Sequence, residues 1–397
     1  MTSARTDLPL MLGLGTAQPE HSMTQEEATQ LAQEVICRTD EERRLVKALY
    51  RKAGVKHRRT ALPHRIAQTW NPTHNATSTV ESEASASLGS LDNGSDGSDV
   101  ATATDTRRGF GPTTAERMQF YRDAAPGLGL AAAASALREA QVAPDQITHL
   151  VTVSCTGFFA PGIDLSLIDV LGLPPTVGRV SVGFMGCHGA VNGLRAAAAI
   201  AQANPKNRVL LVAVELCSIH YCFDWDPTRA VGNAVFADGA GAMVLAHGAA
   251  ESPVADSALR IGAVGSCFIP NSADAMSWNI GNHGYEMFLS PRVPDLIRAH
   301  LRPWFDQWLE EHGQAVESIG CWAVHPGGPR VLTAVEECLQ IGPQAVAVSR
   351  EVLASCGNMS SATILFILER LRAAQAKMPC VALGFGPGLA AESVLFV

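Results

Sequence analysis

The sequence predicts an α/β fold made of two similar halves, and three observations predict it. Apolar strand-like runs alternate with helical stretches from His149 onward, which implies sheets covered by helices. Runs such as Arg208–Glu215 are continuously apolar, as strands covered on both faces are. One unit, a strand followed by a glycine-rich turn and a helix, recurs in both halves. The 397 residues, 47% hydrophobic and 17% charged, suit one large or two medium domains with a sizeable core.

In the first half, residues 1–250, Pro9–Ala17 reads as a strand ending in a glycine turn. A helix follows from Thr24 to Cys37, with Thr24 as cap and Glu27 three residues on. Asp40–Lys52 is a charged helix whose Arg43, Arg44, Lys47, Arg51 and Lys52 form either a solvated face or a patch for phosphates. Asn75–Asp105, rich in Ser, Thr, Ala, Gly and Asp, reads as a mobile surface loop. A helix begins at Pro112–Arg117, and a long alanine-rich helix spans Asp123–Ala140. Strands are expected at His149–Cys155, Val180–Phe184, Arg208–Glu215 and Ala240–Ala246, with helices at Asp164–Leu171 and after Cys187 through Ile200. In the second half, residues 251–397, strands are expected at Leu259–Ser266, Ile319–His325, Val381–Phe385 and Glu392–Phe396. Helices are expected at Pro294–Glu311, from Pro329 through Gln340, and at Ser360–Arg372.

The net charge of −8 argues against nucleic acid or an anionic membrane as a general partner. No apolar run reaches the length of a membrane span. The N-terminus has no apolar signal segment, and the ten cysteines are scattered without a CxxC pair. Free thiols in a cytoplasmic protein are therefore expected.

Cys187 lies where the strand Val180–Phe184 meets the next helix. Unpaired N–H groups and the positive helix end there favour a thiolate, which suits a nucleophile; a buried structural thiol is the competing reading. His325 and Asn358 sit in glycine-rich turns of the second half. If the halves share a fold, Cys187 and His325 occupy equivalent strand-to-helix junctions. An imidazole can hold a thiol as thiolate, and an amide can donate to a carbonyl oxygen. Papain-like proteases use the same residue types in the same order, but no CGSCW-like stretch is present. Cys217, His220 and Cys222 offer a weaker reading as zinc ligands, without a distant partner pair.

The stretches Gly183–Cys187, Trp322–Pro329, Cys356–Ser361, Gly384–Leu389 and Val231–Ala240 together resemble the type III polyketide synthases, the chalcone synthase-like branch of the thiolase superfamily. The resemblance runs from about Leu10 to the end, apart from Asn75–Asp105. It implies a five-layered αβαβα thiolase-like fold, a homodimer, and acyl-CoA and malonyl-CoA as substrates with no cofactor. By similarity, Cys187 carries the acyl chain, His325 keeps its thiolate, and His325 with Asn358 binds the malonyl thioester carbonyl. Phe236 matches one gatekeeper and Met287 falls at the second. Thr156, Ala160, Cys217, His220 and Ser360 align with the cavity wall. Lys52, Gly327 and Arg330 are the implied CoA contacts, while Leu45 and Ala48 replace basic residues of the family.

The small Ala160 and modest Cys217 resemble bacterial members that admit long acyl chains, so a medium- or long-chain fatty acyl starter leading to alkylpyrones or alkylresorcinols is expected. An aromatic starter, an initiating β-ketoacyl carrier-protein synthase and a non-catalytic scaffold are the alternatives.

Overall fold

The structure, a computed structural model, describes residues 8–63, 111–255 and 258–397; the Asn75–Asp105 segment lies outside the described residues. Strand β1 (Leu10–Ala17) opens the chain, and a hairpin of β2 (His21–Thr24) with β3 (His57–Thr60) encloses α1 (Gln25–Val35) and α2 (Asp40–Lys52). Thr24 with Glu27, and Thr39 with Glu42, close reciprocal caps that satisfy N–H groups of each first turn.

A single helix, α3 (Thr114–Ala140), replaces the two segments read from the sequence. It starts at Thr113, capped with Glu116, and runs through Pro126. The missing N–H of Pro126 is tolerated because the helix packs along β1 and two further strands of the sheet, β6 and β7, given below. Its approach to β1 is close: a Cβ on Gly15 would lie 2.5 Å from the Ala132 oxygen and the Ala136 nitrogen.

The first half continues with β4 (His149–Ser154), α4 (Ile163–Leu171), β5 (Gly178–Gly183), α5 (Gly189–Ala203), β6 (Arg208–Leu216), α6 (Pro227–Val235) and β7 (Asp238–Ala246). The second holds β8 (Leu259–Phe268), the hairpin β9 (Met276–Gly281) and β10 (Gly284–Leu289), α7 (Val293–Glu311), β11 (Cys321–Val324), α8 (Pro329–Leu339), α9 (Ala347–Cys356), α10 (Thr363–Ala373), β12 (Cys380–Gly386) and β13 (Ala390–Phe396). Nine strands form one sheet in the order β11-β12-β13-β8-β1-β7-β6-β4-β5, and the β1–β8 pairing joins the two halves.

Three apolar cores alternate with the two runs of this sheet. One lies under α1 to α4, one surrounds α5 and α10, and one lies under α7 and α8. Helix α5 touches strands of both runs, and α10 does the same. The layers are therefore helix, sheet, helix, sheet, helix, as the resemblance implied. No helix among the described residues is long and apolar enough to cross a membrane.

The internal repeat differs from the sequence reading in one respect. In the first half β4 pairs parallel with β6, which pairs antiparallel with β7. In the second, β11 pairs parallel with β12, which pairs antiparallel with β13. Thus β11 stands in the place of β4, and His325 corresponds to the Cys155 position rather than to Cys187. The counterpart of Cys187 is Asn358. Cys187 lies on a 3-10 turn (Gly186–His188) and Asn358 shortly before another (Ser360–Ala362), and each turn leads into a central-layer helix.

Candidate active site

Three loops converge at the heart of the molecule. Strand β5 ends at Gly183; Phe184 turns left-handed (φ 60°), and Cys187 follows on the 3-10 turn ahead of α5. The turn lies against the Gly384–Leu389 loop, since a Cβ on Gly186 would come within 2.5 Å of Pro387 Cδ. Strand β11 delivers His325, whose N–H donates to the Leu383 carbonyl at 2.8 Å. Asn358 follows α9 through Gly357, in a left-handed conformation with φ 76°. Its N–H donates to Val235, and its carbonyl accepts from Ala237 at 2.9 Å, so it is tied to both sides of Phe236.

The sequence-derived triad is thus brought together. Cys187, His325 and Asn358 line one cavity, with Val231, Val235, Phe236, Met287 and Gly327. Cys187 is hydrogen-bonded to Asn358 and accepts from Ser360 Oγ at 3.6 Å. Asn358 Oδ1 is held by the Ser360 N–H at 2.9 Å, which leaves its amide nitrogen for the thiol and a substrate oxygen. His325 is 1% exposed, and among the described residues neither ring nitrogen has a hydrogen-bond partner. A buried imidazole without partners, at the wall of a cavity, is a group prepared for something that enters.

The electrostatics differ from the sequence argument. Burial pushes the Cys187 thiol up to about 11, outweighing its hydrogen bonds with Ser360 and Asn358, and the Glu215 carboxyl adds to the rise. Burial pulls His325 down to about 3, helped by nearby His188. Both shifts favour the uncharged forms, thiol and imidazole. His188 Nδ1 donates to Asn192 Oδ1 at 2.5 Å, and the ring packs under Gly384 and Gly386, as a supporting residue.

Beneath the site lies Glu215 at the end of β6. It accepts from the Cys155 N–H at 3.1 Å, from Thr156 Oγ1 at 2.6 Å and from Ser361 Oγ. One buried carboxyl therefore fixes both the turn after β4 and the turn carrying Ser360. Neither Glu215 nor Cys155 was singled out from the sequence. A charged residue closing an otherwise apolar strand was the available signal.

Of the expected wall residues, Thr156, Cys217 and Ser360 line a second small cavity on the other side of Cys187, together with Cys155 and Trp278. His220 lines a larger chamber beyond it. Ala160 is exposed on the loop before α4 and lines none of these spaces. Phe236 and Met287 line all three, the placement expected of gates. Lys52 ends α2 close to Gly54, whose Cβ would meet Pro329, and both Lys52 and Arg330 are exposed within two residues of that contact.

The zinc reading of Cys217, His220 and Cys222 does not fit. His220 Nε2 donates to the Thr156 carbonyl at 2.6 Å and its Nδ1 accepts from Tyr285 N–H at 2.9 Å, so no ring nitrogen is left to ligate.

Two family models match the chain: the chalcone and stilbene synthase N-terminal domain over residues 102–249, and the C-terminal domain over 261–397. The alpha-pyrone synthesis polyketide synthase-like Pks18 of Mycobacterium tuberculosis is 32% identical over 288 residues, 72% of this chain and 73% of that protein. The 1,3,6,8-tetrahydroxynaphthalene synthase of Streptomyces peucetius is 31% identical over 385 residues, 96% of this chain and 90% of that one. Among solved structures, PKS-I from the brown alga Ectocarpus siliculosus superposes with a TM-score of 0.84 at 27% identity, covering 100% of this chain and 99% of that one.

Proposed function

Because the chain belongs to the chalcone and stilbene synthase family of type III polyketide synthases, we propose that Cys187 is loaded from an acyl-CoA and that malonyl-CoA extends the chain by decarboxylative condensation. The observation that carries this is the unpartnered His325 ring facing Cys187 and Asn358 in one buried cavity.

In the loading step the thiol proton passes to His325 as Cys187 Sγ attacks the thioester carbon. The new carbon–sulfur bond forms as the CoA–carbonyl bond breaks, and CoA leaves with the proton. In extension, the malonyl carboxylate departs as CO2. The electron pair left behind is held as an enolate whose oxygen accepts hydrogen bonds from His325 and the Asn358 amide. That pair forms the new carbon–carbon bond at the Cys187 thioester, whose carbon–sulfur bond breaks and returns the sulfur its pair. Burial serves both steps, since a carbanion equivalent survives only where water is excluded. CoA esters are substrates here, bound by Lys52, Gly327 and Arg330, and no cofactor takes part.

A pyrone product is supported by the name of the Mycobacterium relative, and a fused aromatic product by the name of the Streptomyces one. For a medium- or long-chain starter, the sequence-level expectation, Cys217 remains a supporting wall residue. Homodimerisation is supported by the exposed edge strand β5, and a cytoplasmic setting by ten free thiols.

The test is to mix purified protein with malonyl-CoA and acyl-CoA starters, without carrier protein, and detect pyrones or aromatic polyketides by mass spectrometry. Products are expected from the wild type and none from Cys187→Ala. Condensation surviving in that variant removes Cys187 from its role; a strict need for carrier protein favours the initiating β-ketoacyl synthase reading.

A further inference from the structure

The strand that delivers His325 carries one of a pair of thiols that the condensing reaction does not use. Cys321 opens β11 and Cys380 opens β12, and the two are direct partners in the parallel register of those strands. Side chains alternate along each strand. Cys321, Ala323, Cys380 and Ala382 face the central core, while Trp322, Val324, Val381 and Leu383 face the outer one. The two sulfurs therefore project from neighbouring strands onto one face, and the thiols are hydrogen-bonded to each other. Cys155 and Cys187 differ in this respect, because each bonds the Ser360 hydroxyl, at 2.9 and 3.6 Å.

The backbone suits a covalent bond between the pair. Neighbouring strands lie about 4.8 Å apart, inside the Cα separation of about 4.4 to 6.8 Å that disulfides span. The strand starts are also fixed to one another, since the N–H groups of Gly320 and Cys321 both donate to the Pro379 carbonyl, at 2.8 and 3.3 Å. A bridge can close here without moving either strand.

The pair lies just under the surface. Cys380 is 1% exposed and Cys321 is 7% exposed, while Gly320 and the Lys377 that packs against it are exposed. A small oxidant thus meets Cys321 first. The hydrogen bond from Cys380 lowers the Cys321 thiol, whereas burial raises those of Cys155, Cys187 and Cys217. Thiolate character is what makes a cysteine react with peroxides.

We propose that Cys321 and Cys380 form a dithiol site that a small hydroperoxide oxidises reversibly to a disulfide, clamping the strand that carries His325. In the first step the Cys321 thiolate attacks a peroxide oxygen and the O–O bond breaks. The departing oxygen takes up the proton the thiol gave, and a sulfenic acid remains on Cys321. In the second step Cys380 loses its proton as its sulfur attacks the Cys321 sulfur, and the S–O bond breaks to release water. Two thiols are oxidised and one peroxide is reduced, by the same two electrons. Strand β11 has only four residues and a single neighbour in the sheet, so a tie at its start holds the strand that ends at His325. The bridge also closes a long loop in the unfolded chain, which favours the folded state.

The experiment treats the full-length protein with hydrogen peroxide, blocks the remaining thiols with iodoacetamide in urea, and maps unreduced tryptic peptides by mass. Trypsin leaves each of the two cysteines on a peptide without another. Expected is a cross-linked pair of peptides, lighter than their sum by the two lost hydrogens and separated by dithiothreitol, with Cys187 still alkylated. The oxidised wild type should unfold about 3 °C or more above the reduced protein. It should also keep its condensing activity longer at the reduced protein's unfolding midpoint. Cys321→Ser should show neither change, and Cys380→Ala serves as the second variant if the first folds poorly. Absence of the cross-link overturns the proposal, as does oxidation of Cys155 or Cys187 ahead of this pair. A mapped bridge that leaves the unfolding midpoint unchanged overturns the clamp. Mass and midpoint are read without substrate, so they are separate from any failure of the condensing reaction.

Discussion

At the residue scale, the sequence carried the identities of the reactive groups but not their charge states. Cys187, His325 and Asn358 were legible because each stands in a glycine-framed turn, and the structure places all three on one cavity. Their protonation was not legible, because it depends on burial by residues far away in the chain. The backbone N–H groups at the start of α5 were expected to favour the thiolate. Desolvation, with Glu215 below, wins instead and holds the thiol near 11. Cys155 and Cys217 line the small cavity on the other side of Cys187, and burial raises both of their thiols as well, so neither supplies a competing thiolate. A pH prediction follows for the free protein. Below its pKa the thiolate fraction, and with it the rate of Cys187 alkylation by iodoacetamide, should climb about tenfold per pH unit from pH 7 to 10. Peptide mass mapping checks this; a rate already level by pH 8 would instead mean that His325 holds the thiolate as an ion pair in the resting protein.

At the element scale, long amphipathic or apolar segments were read within a few residues of their ends, and short elements were missed. The β9–β10 hairpin is the consequential omission, because it carries Trp278, Tyr285 and Met287. Its signal was present: alternating residues on either side of Asn282-His283, flanked by Gly281 and Gly284. The doubled helix at 112–140 failed for another reason. The expected break fell between Arg117 and Asp123, where the helix in fact runs on without interruption and packs along three strands. Joints between elements were equally invisible. Asp238, at the start of β7, accepts from Ala61 N–H and Ser218 N–H at 2.8 Å and from Ser218 Oγ at 2.6 Å. Burial raises this carboxyl from 3.8 to about 6, despite those bonds and the nearby Arg58. Because the folded pKa lies above the unfolded one, folding takes up a proton between the two values, and stability falls as pH rises through about 6. A shift of this size corresponds to about 3 kcal/mol. Urea unfolding at pH 4.5 and pH 7 should show wild type losing most of that amount relative to Asp238→Asn over the interval. Parallel pH profiles for the two proteins would remove Asp238 from this part of the pH dependence.

At the scale of the whole molecule, the sheet has two ends with different fates. Strand β11 is buried along its length beneath helices of the second half. Strand β5, at the other end, pairs only with β4, and most of its residues are exposed or half-exposed. An open edge with apolar side chains is a template for another strand, and proteins that keep one either blunt it or use it. Here it is not blunted by proline or lysine. Val180 on the strand is 38% exposed, Phe158, edge-on to Phe184 just after the strand, is 59% exposed, and Val170 near the end of α4 is 65% exposed. The same loops run directly into Cys187 and Thr156, so whatever covers this edge also braces the nucleophile turn. A second copy of the chain meets both needs, since like edges pair about a two-fold axis. Light scattering of the wild type should therefore give twice the chain mass. The paired substitutions Val170→Glu and Val180→Glu should shift the mass to a single chain and lower condensation more than stability. A wild type that is monomeric at assay concentration, with full activity, would separate catalysis from this edge.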